Sequence, residues 1–243
     1  MFRSPLPAFT VAAAFALSAA PAPAGPDDGT AAAIDDGFVA LFDGETLAGW
    51  EQRNGFATYR VETVDGAPAI VGRTAKGSPN SFLCTKKTYK NFVLEFEVKL
   101  PTRALNSGVQ VRSSAKGEDA GKGNNGAGRV FGPQVEIESS PGDAGYIYGE
   151  AMGGWLDPKD QHPKQETFEN GGWNKFRVEA RGDTIKTFVN GEPVSDLKTD
   201  KDEAKTPGFV GLQVHSYKGP HPGVVMWRNV RIKALTGGDG PGE

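Results

Sequence analysis

The sequence predicts an all-β domain built from two packed antiparallel sheets. Gly (33) and Pro (17) are frequent among the 243 residues, and no long uninterrupted helical pattern occurs, which favours many strands and turns. Several segments alternate polar and apolar residues with a period of two, so that on a strand their side chains point to opposite faces. About 210 ordered residues form one large β domain more readily than two small ones.

The N-terminus has the pattern of a secretory signal peptide. Arg3 supplies a positive charge, residues 9–20 form a short apolar run, and Ala22-Pro23-Ala24 fits the small-x-small cleavage rule. The apolar run is shorter than the roughly 20 residues that span a bilayer, and no Cys lies at the predicted cleavage site for lipid attachment. We therefore expect cleavage after Ala24, no membrane anchor afterwards, and a periplasmic or secreted protein.

The segments that flank the domain are poor in core-forming residues. Residues 25–36 are rich in Gly, Ala and Asp and are predicted to be a flexible linker. Residues 236–243 are Gly-rich and are predicted to be a disordered tail. The predicted domain therefore spans residues 37–235.

Composition restricts the possible partners. The formal charge is −3 and no basic block occurs, so nucleic acid is not an expected partner. Cys84 is the single cysteine, which excludes an intrachain disulfide, and its place in a predicted strand indicates a small core residue. The three His residues and Cys84 lack zinc-finger spacing.

The predicted strands follow one another with turn residues between them. A short apolar strand runs into the Asp43-Gly44 turn, and Asp65-Gly66 and Asn190-Gly191 are hairpin turns. Residues 114–129 and 151–170 are predicted to be long loops; His162 and His221, beside prolines in loops, are expected to be solvated. The other predicted strands are 59–64, 69–72, 81–85, 92–100, 106–113, 132–138, a short strand ending at Glu150, 173–180, 184–189, 209–217 and 224–235.

Three predicted strands carry polar side chains opposite their core residues. In a sandwich these rows can line one open concave face, walled by the two long loops. Amide, Arg, His and carboxylate groups offer the paired donors and acceptors that suit sugar hydroxyls, so carbohydrate is the expected partner. The rows are Gln110 and Arg112; Gln134, Glu136 and Glu138; and Gln213, His215 and Tyr217.

Seven short motifs occur in order along the domain. They are LFDGETLAGW (41–50), NSGV (106–109), GPQVEIE (132–138), GYIYGE (145–150), GWN (172–174), GLQVH (211–215) and WRNVRI (227–232). Each is weak alone, but together they resemble the 3-keto-disaccharide (3-keto-glycoside) hydrolase domain family over residues 36–235. The resemblance implies a concanavalin A-like jelly-roll sandwich in an exported bacterial protein. Gly172 departs from the family, which usually has Glu there.

The resemblance also implies an enzyme that cleaves the glycosidic bond of 3-keto-glycosides. The C3 carbonyl acidifies the C2 hydrogen, so a base can remove it, the glycosidic oxygen leaves C1, and water adds across the enone. This route needs a base, an acid and a donor that polarises the carbonyl. Glu136, Glu138 and His215 are the base and acid candidates. The polarising candidates are Arg112, Gln134 and Gln213.

Further residues are predicted to bind the substrate. Tyr148 and Trp155, near the second loop, can stack on a sugar ring or pin that loop. Asn106 is a ligand contact or a turn former, and Gln110 lies on one of the polar rows. A divalent metal ion held by Glu136 and His215 would also polarise the carbonyl. The sequence leaves the metal and the amide/Arg donor set open as alternatives.

Two other functions stay open at this point. A conventional glycosidase would use Glu136 and Glu138, but residues i and i+2 on a strand lie about 6.5–7 Å apart, which is wide for a retaining pair at about 5–5.5 Å. A non-catalytic, lectin-like carbohydrate-binding module can use the same fold. Catalysis predicts a shielded carboxylate or His with a strongly shifted pKa, whereas a binding module predicts aromatic platforms and exposed acids. Without a catalytic role, Glu136 and Glu138 are each expected to form an ion pair with Arg112 or Arg228.

Overall fold

The computed structural model describes residues 37–120, 126–220 and 222–235, together with Met1. The rest of the predicted signal peptide, the predicted linker, His221 and the predicted tail lie outside the described residues. Within the described ranges, no helix has the length and apolar character needed to cross a membrane.

The described part of the chain is built mainly of strands. Its short 3-10 helices are Glu118–Ala120, Lys159–Gln161 and Asp202–Ala204. The strands are β1 (Val39–Ala40), β2 (Trp50–Asn54), β3 (Thr58–Val64), β4 (Ala67–Arg73), β5 (Ser81–Thr85), β6 (Phe92–Lys99), β7 (Ser107–Ala115), β8 (Val130–Ile137), β9 (Ile147–Glu150), β10 (Gly154–Trp155), β11 (Trp173–Arg181), β12 (Thr184–Val189), β13 (Glu192–Lys198), β14 (Phe209–Val214) and β15 (Val224–Ala234).

These strands form two antiparallel sheets. The eight-stranded sheet has the order β13-β12-β11-β6-β15-β4-β3, with β1 paired to β15. The seven-stranded sheet has the order β10-β9-β8-β7-β14-β5-β2. This arrangement confirms the predicted all-β sandwich of two antiparallel sheets.

The core lies between the two sheets and follows from the predicted alternation. On β6 of the eight-stranded sheet, Phe92, Leu94 and Val98 are 0 % exposed. They belong to one apolar cluster with Val109 and Val135 of the seven-stranded sheet. Each such side chain contributes about 1.5–3 kcal/mol when it is fully buried, so the apolar faces of the strands hold the two sheets together.

A charged side chain on the outer face of the eight-stranded sheet is buried, although charged residues on such a face are usually exposed to solvent. Glu95 is buried and forms ion pairs with Arg177 and Arg231, each at 2.7 Å. Burial opposes ionisation of Glu95, but the hydrogen bonds from these two arginines prevail and hold its pKa below the usual value. The carboxylates on this face are therefore paired with arginines of neighbouring strands.

The polar rows of the seven-stranded sheet are shorter than the alternation predicts. The register of β7 shifts between Gln110 and Ser114, and Arg112 has a φ of 48°. Strand β8 ends at Ile137 and β14 ends at Val214, whereas both were predicted to continue. The side chains beyond these points do not follow the period-two pattern.

Two strands of the seven-stranded sheet were missed in the sequence. Strand β2 follows the Asp43-Gly44 turn and is mostly polar after Trp50, and β10 has only two residues inside a predicted loop. Both lie at the edges of the sheet. Neither has the alternation that marks a half-buried strand.

Candidate functional site

Glu136 is a buried carboxylate on the side of β8 that faces away from the core. It is 6 % exposed. Asn106 Nδ2 donates to its Oε1, and Gln134 Nε2 donates to its Oε2 at 3.0 Å. Burial raises the pKa of Glu136 to about 7, although the two amide hydrogen bonds lower it. A carboxyl group that is divided between its two protonation states near neutral pH suits general acid–base chemistry.

Three glutamines form a hydrogen-bonded network behind Glu136. Gln110 Nε2 and Gln213 Nε2 both donate to Gln134 Oε1 at 2.8 Å, and Ser113 Oγ donates to Gln110 Oε1 at 2.7 Å. Because the oxygen of Gln134 accepts both bonds, its amide nitrogen is directed to Glu136. Gln110 and Gln213 are fully buried and hold Gln134 in this orientation. They are not among the residues that line the cleft, so the prediction that they contact substrate is wrong in its placement.

Gly108 leaves the space that the Gln134 side chain occupies. It lies in register with Glu136 on β8 and with Gln213 on β14. A Cβ atom at this position would lie 2.5 Å from Gln134 Cδ and 2.7 Å from Gln134 Nε2, which is too close for non-bonded atoms. The lack of a side chain at Gly108 therefore permits the bond from Gln134 to Glu136.

We expect Gly108→Ala to displace Gln134 and to lower the free energy of unfolding by about 1–3 kcal/mol, the usual cost of overpacking. Urea denaturation measures this cost, and Gln134→Ala is the matched background because it removes the obstructing side chain. The double variant should recover most of the loss, since the two residues are in contact. An equal cost of Gly108→Ala in both backgrounds would contradict this account.

An open cleft of about 480 Å³ lies over Glu136. This volume is within the range of small-molecule sites. The carboxylate, Asn106 and Gln134 line it, together with residues from β9, β10 and the segments next to β5, β8 and β14. The structure thus brings five other predicted site residues to the same cleft as Glu136: Asn106, Gln134, Tyr148, Trp155 and His215.

Two aromatic residues line one side of the cleft. Trp155 pairs with Tyr148 across β9 and β10, which places both rings on one face of the sheet. The ring centroids are 5.4 Å apart in an edge-to-face arrangement. Such rings present apolar surface and a polar edge to a ligand.

His162 packs behind this aromatic wall. Its ring lies 4.8 Å from Trp155 and 4.4 Å from Tyr146 between centroids, and it is 7 % exposed. Neither ring nitrogen has a hydrogen-bond partner among the described residues. The prediction of a solvated His162 is therefore wrong, because the second loop folds this side chain under Trp155.

Three of the cleft residues that were not predicted from the sequence have polar or charged side chains. Glu150 is 3 % exposed and pairs with Arg129, while Asn80 Nδ2 lies 3.5 Å from Glu150 Oε1. Glu150 is two residues after Tyr148, so the period-two argument applied to Glu136 would have found it. Arg129 and Asn80 lie just outside strands, and no local pattern identifies them.

His215 lies immediately after β14 and is half-buried. Its Nδ1 is 2.7 Å from the carbonyl oxygen of Ser216. Because a carbonyl oxygen only accepts, Nδ1 carries a proton, and Nε2 is the nitrogen that can exchange a proton with a ligand. The Ser216 N–H donates to Asn80 Oδ1 at 3.0 Å, which ties this segment to the cleft.

Arg112 is not a residue of the cleft. Its side chain is 1 % exposed, and its guanidinium donates to the carbonyl oxygens of Gly182 and Ala204 at 2.9 and 3.0 Å. The register shift in β7 and the positive φ of Arg112 turn it away from Gln110. The prediction that it contacts substrate is wrong in its placement, because it assumed an unbroken strand.

Glu138 also lies outside the residues that line the cleft. Its carboxylate accepts the N–H of Asp143 at 2.9 Å and lies 3.7 Å from Lys164 Nζ. Strand β8 ends one residue earlier, so Glu138 does not share the position of Glu136. The alternative of a conventional glycosidase, which would need Glu136 and Glu138 in one cleft, is therefore not supported. Glu136 also makes no ion pair with Arg228, which instead pairs with Glu97.

Gly172, where the family usually has Glu, immediately precedes β11 of the eight-stranded sheet. A Cβ at Gly172 would lie 2.6 Å from Glu169 Cδ and 2.8 Å from Glu169 Oε1. The Glu169 carboxylate thus occupies the space beside Gly172. This difference does not alter the cleft over Glu136.

The described residues do not fit a divalent metal at Glu136 and His215. In the described part of the chain, no group of three or more His, Cys, Asp or Glu side chains is arranged to hold a metal ion. Each oxygen of Glu136 also accepts an amide N–H. The Glu136 carboxylate is therefore held by amide hydrogen bonds, as a catalytic base can be, and not by the ligands of a metal ion.

Solved structures show the same fold. A candidate glycosyl hydrolase from Parabacteroides distasonis ATCC 8503 is 19 % identical, with a TM-score of 0.55 and coverage of 82 % of this chain and 94 % of that one. The carbohydrate-binding module CBM66 from Bacillus subtilis is 16 % identical, with a TM-score of 0.50 and coverage of 76 % and 96 %. At these identities the likeness shows the fold alone.

The sequence comparison covers nearly the whole described domain. No curated protein matches this chain. The profile of the 3-keto-alpha-glucoside-1,2-lyase-like domain matches residues 37–233, in agreement with the resemblance found in the seven motifs. The chain belongs to the 3-keto-alpha-glucoside-1,2-lyase-like domain family.

Proposed function

We propose that the protein cleaves the glycosidic bond of 3-keto-glycosides and that Glu136 is the base that removes the C2 proton. The observation that carries this proposal is the buried Glu136 carboxyl at the cleft, held by two amides with a pKa of about 7. A non-catalytic module has no need of a shielded carboxyl group with a shifted pKa. Membership in the family supports the same substrate class.

The reaction has an elimination step and a hydration step. The Glu136 carboxylate takes the C2 proton, the electron pair forms the C1–C2 double bond, and the bond from C1 to the glycosidic oxygen breaks. The leaving oxygen receives a proton from an acid. Water then adds its oxygen to C1 and gives one proton to the conjugate base of that acid, while the protonated Glu136 returns a proton to C2. The products are 3-keto-glucose and the released alcohol.

His215 is the proposed acid for the leaving oxygen. It lines the same cleft as Glu136, and its Nδ1 is held by the Ser216 carbonyl. In its charged form the imidazole can release a proton from Nε2. In this proposal the base, Glu136, lies on β8, and the acid, His215, immediately follows β14.

We expect the purified protein to release 3-keto-glucose from a 3-keto-disaccharide, with the same rate in excess chelator because the described donors do not form a metal site. Chromatography of the products measures this release. The parent disaccharide, which lacks the carbonyl, is the control and should not be cleaved. Cleavage of the parent at a similar rate, or no turnover of any keto-glycoside, would overturn the proposal.

A carbohydrate-binding module is the second candidate function. The pair formed by Tyr148 and Trp155 on the cleft wall favours it. Saturable sugar binding by calorimetry together with no turnover of keto-glycosides would establish this function in place of the first. The export signal in residues 1–24 stays a prediction, which N-terminal sequencing of the periplasmic or secreted protein tests.

A further inference from the structure

We propose that Arg129 is the cation that polarises the C3 carbonyl of the substrate, an inference that rests on the proposed function. Removal of the C2 proton moves negative charge onto the C3 oxygen, which needs a strong donor. The sequence offered Arg112, Gln134 and Gln213 for this role. Arg112 and Gln213 are not among the residues that line the cleft. The amide nitrogen of Gln134 is directed to Glu136 and carries no charge.

Two backbone hydrogen bonds hold Arg129 just before β8. Its carbonyl oxygen accepts the N–H of Lys116 at 2.9 Å, and its own N–H donates to Gly126 at 3.1 Å. The residue immediately precedes β8 and lines the cleft with Glu136. Of the described residues that line this cleft, Arg129 is the single Lys or Arg.

Glu150 orients the Arg129 guanidinium without using all of its donors. Its side chain is 5 % exposed, against 19 % for Arg129. A carboxylate buried to this extent is costly unless it is paired, so the pair stays formed. Among the described residues, one guanidinium nitrogen of Arg129 bonds to Glu150, and its other N–H groups are left for a ligand.

The charge of the guanidinium suits an oxygen that becomes negative during the reaction. A hydrogen bond from a charged donor strengthens as the carbonyl oxygen gains charge. Arg129 therefore stabilises the transition state more than the bound substrate. Its loss should lower kcat with little effect on the binding of a sugar that lacks the carbonyl.

Arg129→Met tests this role. We expect kcat on a 3-keto-disaccharide to fall about 10²-fold or more, while calorimetry finds binding of the parent disaccharide within about threefold of wild type. Arg73→Met is the matched control, because Arg73 is a partly exposed arginine paired with Glu62 in the other sheet. It should leave both quantities unchanged.

The outcomes separate this inference from the proposed function. If the wild type turns over the keto-sugar and Arg129→Met has a kcat within threefold of it, the role of Arg129 is refuted and the function stands. An equal loss of parent-sugar binding would also refute it, since the arginine would then act in ground-state binding. If the wild type does not turn over the keto-sugar, both the proposed function and the role of Arg129 are refuted. Circular dichroism shows whether Arg129→Met folds. If it does not, Arg129→Lys is the second variant, because lysine keeps the charge but lacks the planar guanidinium group. We expect its kcat to fall about tenfold, and an unchanged kcat would refute the inference.

Discussion

Glu136→Gln is expected to lower the turnover of a 3-keto-disaccharide by about 10²- to 10⁴-fold, the usual contribution of a general base. The amide has nearly the shape of the carboxyl group but cannot take the C2 proton. It can still accept the Gln134 hydrogen bond and, after Asn106 turns its amide, donate to Asn106 Oδ1, which is buried without a partner among the described residues. The variant should therefore fold. Initial rates at saturating substrate measure the loss.

Glu138→Gln is the matched control for this variant. It removes the same charge two residues away, at a side chain that lies outside the residues lining the cleft. We expect its rate to stay within about threefold of wild type, because it bonds to Asp143 and Lys164. Full activity in Glu136→Gln would remove Glu136 as the base. A large loss of activity in Glu138→Gln, with full activity in Glu136→Gln, would mean that Glu138 is the base.

The second large expected effect is a fall in stability between pH 4.5 and about 7. The Glu136 pKa rises from 4.5 to about 7 on folding, chiefly through burial. In this window the unfolded chain has lost the proton and the folded protein still holds it, so stability decreases as pH increases. The contribution of Glu136 is fully present below pH 4.5 and is lost as pH rises through about 7. The loss amounts to about 3 kcal/mol.

Urea denaturation at a series of pH values measures this dependence in wild type and in Glu136→Gln. Ionisable groups that do not interact with Glu136, such as those on the eight-stranded sheet, contribute equally in both proteins and cancel in the difference. We expect the wild-type free energy of unfolding to fall relative to the variant by about 3 kcal/mol from pH 4.5 to 8. Parallel curves would mean that Glu136 titrates normally in the folded protein.

The alternation of polar and apolar residues predicted much of the fold and the centre of the site. It assigned Gln134 and Glu136 to the face opposite the core residues of their strand, and in the structure their neighbours Val135 and Ile137 lie in the core. These assignments need only the geometry of one strand, since side chains two residues apart share a face. The contact between Asn106 and Glu136 comes from the pairing of β7 with β8, which the motifs did not predict.

Predictions failed where the backbone departs from a regular strand. Arg112 turns away at the register shift of β7, and Glu138 lies beyond the end of β8. A bulge or a strand end changes the direction of one side chain without a clear change in the hydrophobic pattern. Strand β10, which carries Trp155, lies in a predicted loop because two residues are too few to show an alternation.

The sequence therefore determined the sandwich, the family and the row that contains Gln134 and Glu136, because strand periodicity and short motifs are local properties of the chain. The sequence did not identify Arg129 or Asn80 as cleft residues or His162 as buried. It also did not predict that the pKa of Glu136 is raised to about 7. Those features depend on which distant segments cover the open face of the seven-stranded sheet and on how much water they exclude. Burial and cross-strand contacts of this kind arise only when segments far apart in sequence meet.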